Sequence, residues 1–107
     1  MAYRLTLQAQ REREDALEYQ AREWGDRAAE ELAAAFRTVL EQIGGWSPPG
    51  AMREQFAGKR YRWVHLAPYP YNIVWAYGAA AEDRVIVRIL HAHMEPIRAM
   101  RKTERWS

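Results

Sequence analysis

The stretch DRAAEELAAAFRTVLEQI, residues 26–43, decides how the rest of the chain is organised. Its apolar residues Ala29, Leu32, Ala33, Phe36, Leu40 and Ile43 recur at i, i+3, i+4, i+7, i+11 and i+14, the spacing that lines one face of an α-helix. Asp26 stands where a helix takes a capping side chain, and Gly44-Gly45 ends the pattern. A helix of this kind solvates one face and must bury the other, so the flanking sequence has to supply a surface for it.

Upstream, Glu, Arg, Ala and Leu dominate from Ala9 to about Trp24, with Ala16, Leu17, Ala21 and Trp24 on one broad helical face. Only Gly25 and Asp26 separate the two helical patterns, which predicts an antiparallel hairpin with both apolar stripes turned to one core. Before it, Tyr3, Leu5 and Leu7 alternate with Arg4, Thr6 and Gln8, the period of a strand with one buried face. Downstream, the Pro-rich segment Trp46 to Gly50 reads as a loop. Three runs rich in β-branched and aromatic residues follow, Arg60 to Leu66, Tyr71 to Tyr77 and Arg84 to Ala92. The connections Ala67 to Pro70 and Gly78 to Asp83 are of hairpin length, so these strands are expected to be antiparallel. Pro96 suits the first turn of a short basic helix running to about Lys102. The order is β-α-α-β-β-β, an α+β fold with a helical hairpin packed on an antiparallel sheet and a short C-terminal helix.

The 107 residues fit one domain, 1–107, with a core over 3–96 and a basic tail over 97–107. There is no cysteine, which removes disulfides, thiolate catalysis and Cys-based zinc sites and suits a reducing cytoplasm. Neither a signal-peptide run nor a stretch of about 20 apolar residues occurs, so a soluble chain with no membrane association is expected. Residues 1–45 carry six Arg against nine carboxylates, whereas residues 46–107 carry ten Lys or Arg against five. Such polarity within one domain draws an acidic partner or nucleic acid to the basic half.

Few residues are equipped for chemistry. His91 and His93 share a strand face, but no carboxylate at matching spacing completes a metal set, so no metal is expected. His91 fits two roles equally, a strand-end residue bonded to backbone or an acid-base group. Ser47 lies in the Pro loop and Ser107 ends the sequence, which leaves no triad nucleophile. Gly44-Gly45 follows a helix instead of preceding one, so no phosphate loop and no nucleotide cofactor is implied. What remains is a set of cations with aromatics, Lys59, Arg60, Arg62, Trp63, Arg88, His91 and His93, spread over adjacent strands.

Four stretches, in order, carry a likeness to a known family. They are Tyr3 to Leu7 with Ala9 and Asp15-Ala16-Leu17-Glu18-Tyr19; the link Gly25 to Ala29; Arg53 to Tyr77, with Gly58 to Arg62 and Pro70-Tyr71-Asn72-Ile73-Val74-Trp75-Ala76-Tyr77; and Val85 to His91. Together they resemble the RelE/ParE superfamily of type II toxin-antitoxin toxins over residues 3–96, and the Leu90-His91 ending leans to the ParE branch. One departure stands out: Met94-Glu95 follow where many ParE-type sequences carry an Arg and an acid, so the acid is kept and the Arg is missing. The resemblance implies a growth-arresting toxin, neutralised by a cognate antitoxin in a toxin-antitoxin hetero-oligomer and acting on DNA gyrase without catalytic residues of its own.

The RelE branch implies instead a metal-independent, ribosome-dependent mRNA endoribonuclease. There cations neutralise a pentacoordinate phosphate and His91 or His93 replaces the family's usual acid-base group, since no tyrosine follows Tyr77. On either reading Lys59, Arg60, Arg62 and Arg88 are the expected contacts to the target, and Trp24, Trp63 and Trp106 those to the antitoxin. A plain basic RNA-binding module is the reading outside the toxin class.

Overall fold

The computed structural model describes residues 3–53 and 61–106. The elements are β1 (Tyr3–Leu5), α1 (Leu7–Trp24), α2 (Asp26–Ile43), β2 (Ala51–Arg53), β3 (Tyr61–His65), β4 (Tyr71–Tyr77), β5 (Arg84–His91) and α3 (Pro96–Arg101). They form one five-stranded sheet in the order β1-β5-β4-β3-β2, with the helical hairpin on one face. The expected α+β fold is therefore present, with one difference: β1 pairs with β5 in parallel, so only the β2 to β5 part is antiparallel. No helix of the described chain is long and apolar enough to cross a membrane.

Thr6 decides where the first strand stops. Its Oγ1 accepts from Ala9 N–H at 3.0 Å, the bond of a helix N-cap, and donates to the Val87 carbonyl at 2.9 Å. Leu7, expected to be the strand's third inward residue, is instead the first residue of α1 and 62% exposed. The alternation of Leu5 and Leu7 continues only because a cap happens to separate them. β2 was not expected either, since three residues are too few to show a period.

The α2 stripe is buried as its spacing predicts: Leu32, Phe36, Leu40 and Ile43 pack with Ile73, Trp75, Ile86 and Ile89 of the sheet. Gly25 makes the sharp link between the helices at φ 94°, a backbone region that a side chain disfavours. Gly25 also occupies the N-cap position of α2 expected for Asp26; Asp26 is the acid in the first turn, placed well for the helix dipole. At the other end of α2 no basic residue lies in the last turn, and Arg84 supplies the charge from β5. Its Nη1 donates to the Ile43 carbonyl at 2.6 Å and to the Gly45 carbonyl. The loop that follows closes over Trp75, whose Nε1 donates to the Pro49 carbonyl at 2.9 Å.

The sheet has a second core on its other face, made by Tyr61, Trp63, Val74, Ala76, Val85, Val87 and Leu90 under Ala99, Met100 and Trp106. A bulge sorts β5 between the two cores. Trp75 lies opposite Ile86 and Val74 opposite Arg88, so Val87 is the extra residue and Arg88 falls on the α3 side with Val74 and Leu90. Arg88 is 4% exposed. Its Nη2 donates to Glu12 of α1 at 2.7 Å, and its Nη1 to the Ala99 carbonyl at 2.6 Å and Thr103 Oγ1 at 3.2 Å. Glu12 also accepts from Ile89 N–H at 2.9 Å, satisfying an amide beyond the end of β1. Simple alternation would put Arg88 on one face with Ile86 and Leu90; the bulge moves Ile86 to the opposite side.

Two stability changes follow. Gly25→Ala is expected to cost about 1–3 kcal/mol from the strained backbone alone, read as a lower denaturation midpoint with unchanged circular dichroism. Arg88→Ala leaves Glu12 without its cation and should cost about 3 kcal/mol, at the lower end for a broken buried pair because Glu12 keeps some solvent contact. Glu12→Gln keeps an acceptor for Ile89 N–H but leaves the more deeply buried guanidinium without its counter-charge, and should likewise cost about 3 kcal/mol in the same thermal melts.

Candidate functional site

The turn between β3 and β4 cannot continue either strand, because Pro68 and Pro70 lack the amide a ladder needs. It is pinned by Ala92 N–H donating to the Pro70 carbonyl at 2.8 Å and Tyr69 N–H donating to the Leu66 carbonyl at 2.8 Å. Between this turn and the α1–α2 link lies a cleft of about 480 Å³, walled by Tyr19, Trp24, Ala28, Tyr69, Tyr71 and His91. Its helical wall is unusually apolar for a surface. Trp24 is 65% exposed and Tyr19 43%, with their rings edge to face at 6.1 Å. Exposed aromatics beside a concavity mark a binding surface more often than isolated surface residues do.

His91 forms the partition between this cleft and a smaller one of about 210 Å³ bounded by Glu12, Asp15, Tyr71 and Met94. Its ring meets Tyr71 edge-on at 5.6 Å and stacks on His93 at 4.8 Å. His91 Nδ1 accepts from His93 N–H at 3.2 Å, so the neutral ring carries its proton on Nε2. Burial pushes the Tyr71 phenol above its ordinary pKa, and Tyr19 adds a smaller push. Tyr71 is therefore a protonated hydrogen-bond donor at neutral pH. The site can grip apolar and aromatic groups, with two imidazoles at its rim.

Among the described residues the expected strand cations do not come together. Lys59 and Arg60 lie outside the described residues. Arg62 pairs across the strands with Trp75, its guanidinium 5.7 Å from that ring, on the hairpin side of the sheet. Arg88 is on the opposite side and buried, which corrects the expectation that it reaches an anionic partner: its guanidinium is enclosed by Glu12, Ala99 and Thr103. The three tryptophans separate as well. Trp24 lines the cleft, whereas Trp63, 8% exposed, is part of the second core and corrects the expectation of an exposed aromatic. Trp106 packs against that core, with its ring 6.4 Å from Tyr61.

His65, exposed on β3, bonds to Asn72 at 3.1 Å and takes no part in the cleft. Among the described residues no group of three His, Asp or Glu side chains is placed to hold a metal. Sequence reasoning did not connect Tyr19, Tyr71 and the Pro68-Tyr69-Pro70 turn with His91. The acidic, Tyr-bearing helix and the Tyr-Pro pattern were visible signals, but the distance in sequence hid their meeting.

The two buried and exposed tryptophans give a direct check. Trp24→Ala should shift stability by no more than about 0.5 kcal/mol, as for a surface change, while Trp63→Ala should cost about 3–5 kcal/mol. Urea denaturation of the two variants separates the outcomes.

The comparisons with known proteins agree with this architecture. A family model, the ParE toxin of type II toxin-antitoxin system, parDE, matches residues 3–96. Among solved structures, a chain from the chromosomal ParDE TA system from P. aeruginosa is similar with a TM-score of 0.71 at 15% identity, over 87% of this chain and 97% of that one. At that identity the likeness speaks for the fold. No curated protein matches the chain in sequence. The family match runs from the first residue of β1 to the first residue of α3, taking in both walls of the cleft, and on it the chain belongs to the ParE toxin family of type II toxin-antitoxin systems.

Proposed function

We propose that the chain is a cytoplasmic toxin that inhibits DNA gyrase and is neutralised by a cognate antitoxin. The family match over residues 3–96 is the observation that carries this reading. For the antitoxin, support comes from the aromatic cleft, where Tyr19 and Trp24 offer apolar anchoring area next to the protonated Tyr71. Trp24 is the contact retained from the three expected tryptophans. For the target, Lys59, Arg60 and Arg62 remain the candidate cations. A mode without catalysis is supported by the division of Arg62 and Arg88 between opposite faces of the sheet. The second reading, an mRNA endoribonuclease, is favoured by the stacked His91 and His93 at the rim of the cleft.

Expression of the chain alone is expected to arrest bacterial growth, and unimpaired growth with folded protein present would remove the toxin reading in favour of a binding module. The purified protein should abolish gyrase supercoiling and leave broken DNA, while cell-free translation proceeds. His91→Gln should change that gyrase effect by less than about tenfold. Cuts at codon positions in ribosome-bound message, reduced ~10²–10⁴-fold by the same substitution, would instead make the chain a nuclease with a histidine acid-base group.

A further inference from the structure

α3 and the residues after it present four exposed cations. Arg98, Arg101 and Lys102 stand at i, i+3 and i+4 along the helix and its C-cap, and Arg105 lies in the extended tail just beyond. Ala99 and Met100, buried in the second core, set which side of the helix faces outward. Lys102 N–H donates to the Ala99 carbonyl and Thr103 N–H to the Met100 carbonyl, so the turn continues past Arg101 and keeps Arg98, Arg101 and Lys102 neighbours on one ridge. The tail is then strapped to α1: Glu104 N–H donates to Gln8 Oε1 at 2.7 Å and Gln8 Nε2 donates to the Lys102 carbonyl at 3.1 Å. Arg105 follows directly on that strap.

The carboxylates nearest in sequence are engaged elsewhere. Glu95 accepts from Ile97 N–H and Arg98 N–H as the cap of α3, and Glu104 is bonded to Arg11 of α1 at 2.7 Å. None of the four cations has an ion pair among the described residues. On α1, by contrast, Arg11, Arg13 and Arg22 are interleaved with Glu12, Glu14, Asp15, Glu18 and Glu23. Arg98 and Arg101 lie in the last turn of α3, where the helix dipole favours cations, although like charges three and four residues apart repel. The buried side of α3 and its Glu95 cap already hold the helix in place without these charges.

We propose that this row binds the phosphate backbone of nucleic acid through charge, without reading bases. The inference stands apart from the choice of gyrase or ribosome as target. Three guanidinium forks match pairs of phosphate oxygens, and the lysine adds a point charge. An acidic protein segment fits less well, because protein partners depend on apolar anchors. Ile97 is the one large apolar side chain that α3 exposes, and the exposed Trp24 lies thirteen residues along α1 from the strap at Arg11, roughly 20 Å away.

The test is fluorescence anisotropy of the full chain with a labelled 20-base single strand and a 20-base-pair duplex across a salt series. Four phosphate contacts predict a log-log salt slope of about −3, a loss of about 50- to 150-fold in affinity from 50 to 200 mM salt. The variant carrying Arg98→Gln, Arg101→Gln, Lys102→Gln and Arg105→Gln should lose that slope at an unchanged melting midpoint. If its fold suffers, Arg101→Gln alone should lower the slope by about 0.7–0.9. A control with Arg22→Gln, Arg27→Gln and Arg37→Gln on the helical hairpin should keep it.

Binding of both nucleic acids assigns the row to phosphate in general, and binding of one alone names single strand or duplex as the source. A slope near zero in the unmodified chain would overturn the proposal, as would equal loss in the hairpin control. Tighter direct binding of labelled polyglutamate than of either oligonucleotide at matching charge and salt would overturn it too, and would assign the row to an acidic protein.

Discussion

The Arg88 guanidinium joins a carboxylate of α1 to a carbonyl of α3 and a hydroxyl of the tail at the far end of the sequence. Removing a guanidinium from water costs several kcal/mol unless its donors are met, so the side chain is stable at 4% exposure only when all three segments are docked. This couples the two faces of the sheet. Glu12 spends its second oxygen on Ile89 N–H, where β1 is too short to pair with β5. The parallel strand, the first half of α1 and the closing helix are thereby held in register by one buried ion pair.

The bulge at Val87 is what lets that pair form. Alternation carried on unbroken from Ile86 would turn Arg88 to the hairpin core on the same face as Ile86, away from Ala99 and Thr103. With it, β5 supplies Ile86 and Ile89 to one core and Val87 and Leu90 to the other, and the charge emerges under α3. The second core contains the large side chains Tyr61 and Trp63 under a cover of six helical residues and the adjoining tail. Strapping of the tail by Gln8 and Arg11 compensates for that short cover.

The two ends of the molecule consequently differ in chemistry. At the α1–α2 link, the backbone of Gly25 and the Pro68-Tyr69-Pro70 turn bring aromatic side chains together around His91, and the surface there is apolar. At α3 the surface is cationic. Both surfaces sit on a scaffold that belongs to the ParE toxin family, and the buried Arg88 contributes its charge to neither while it docks the helix that carries the second.

Much of the fold was legible in the chain itself. The α2 stripe, the glycine link, the three main strands, the helix at Pro96 and the unequal charge of the two halves are local patterns, set by side-chain period and backbone preference over a few residues. The ordered stretches from Tyr3 to His91 were enough for the family resemblance. Tertiary structure decided the rest, because it depended on residues brought together from distant positions. Thr6 ends β1 through a bond to Val87, eighty-one positions away, against an alternation that ran on to Leu7. Tyr19, Tyr71 and His91 become one cleft only when the hairpin lies on the sheet. Arg62 and Arg88 looked alike as strand cations. A single inserted residue in β5, for which the sequence offers no local marker such as glycine, sent Arg88 to the opposite face and made it the buried centre of the fold.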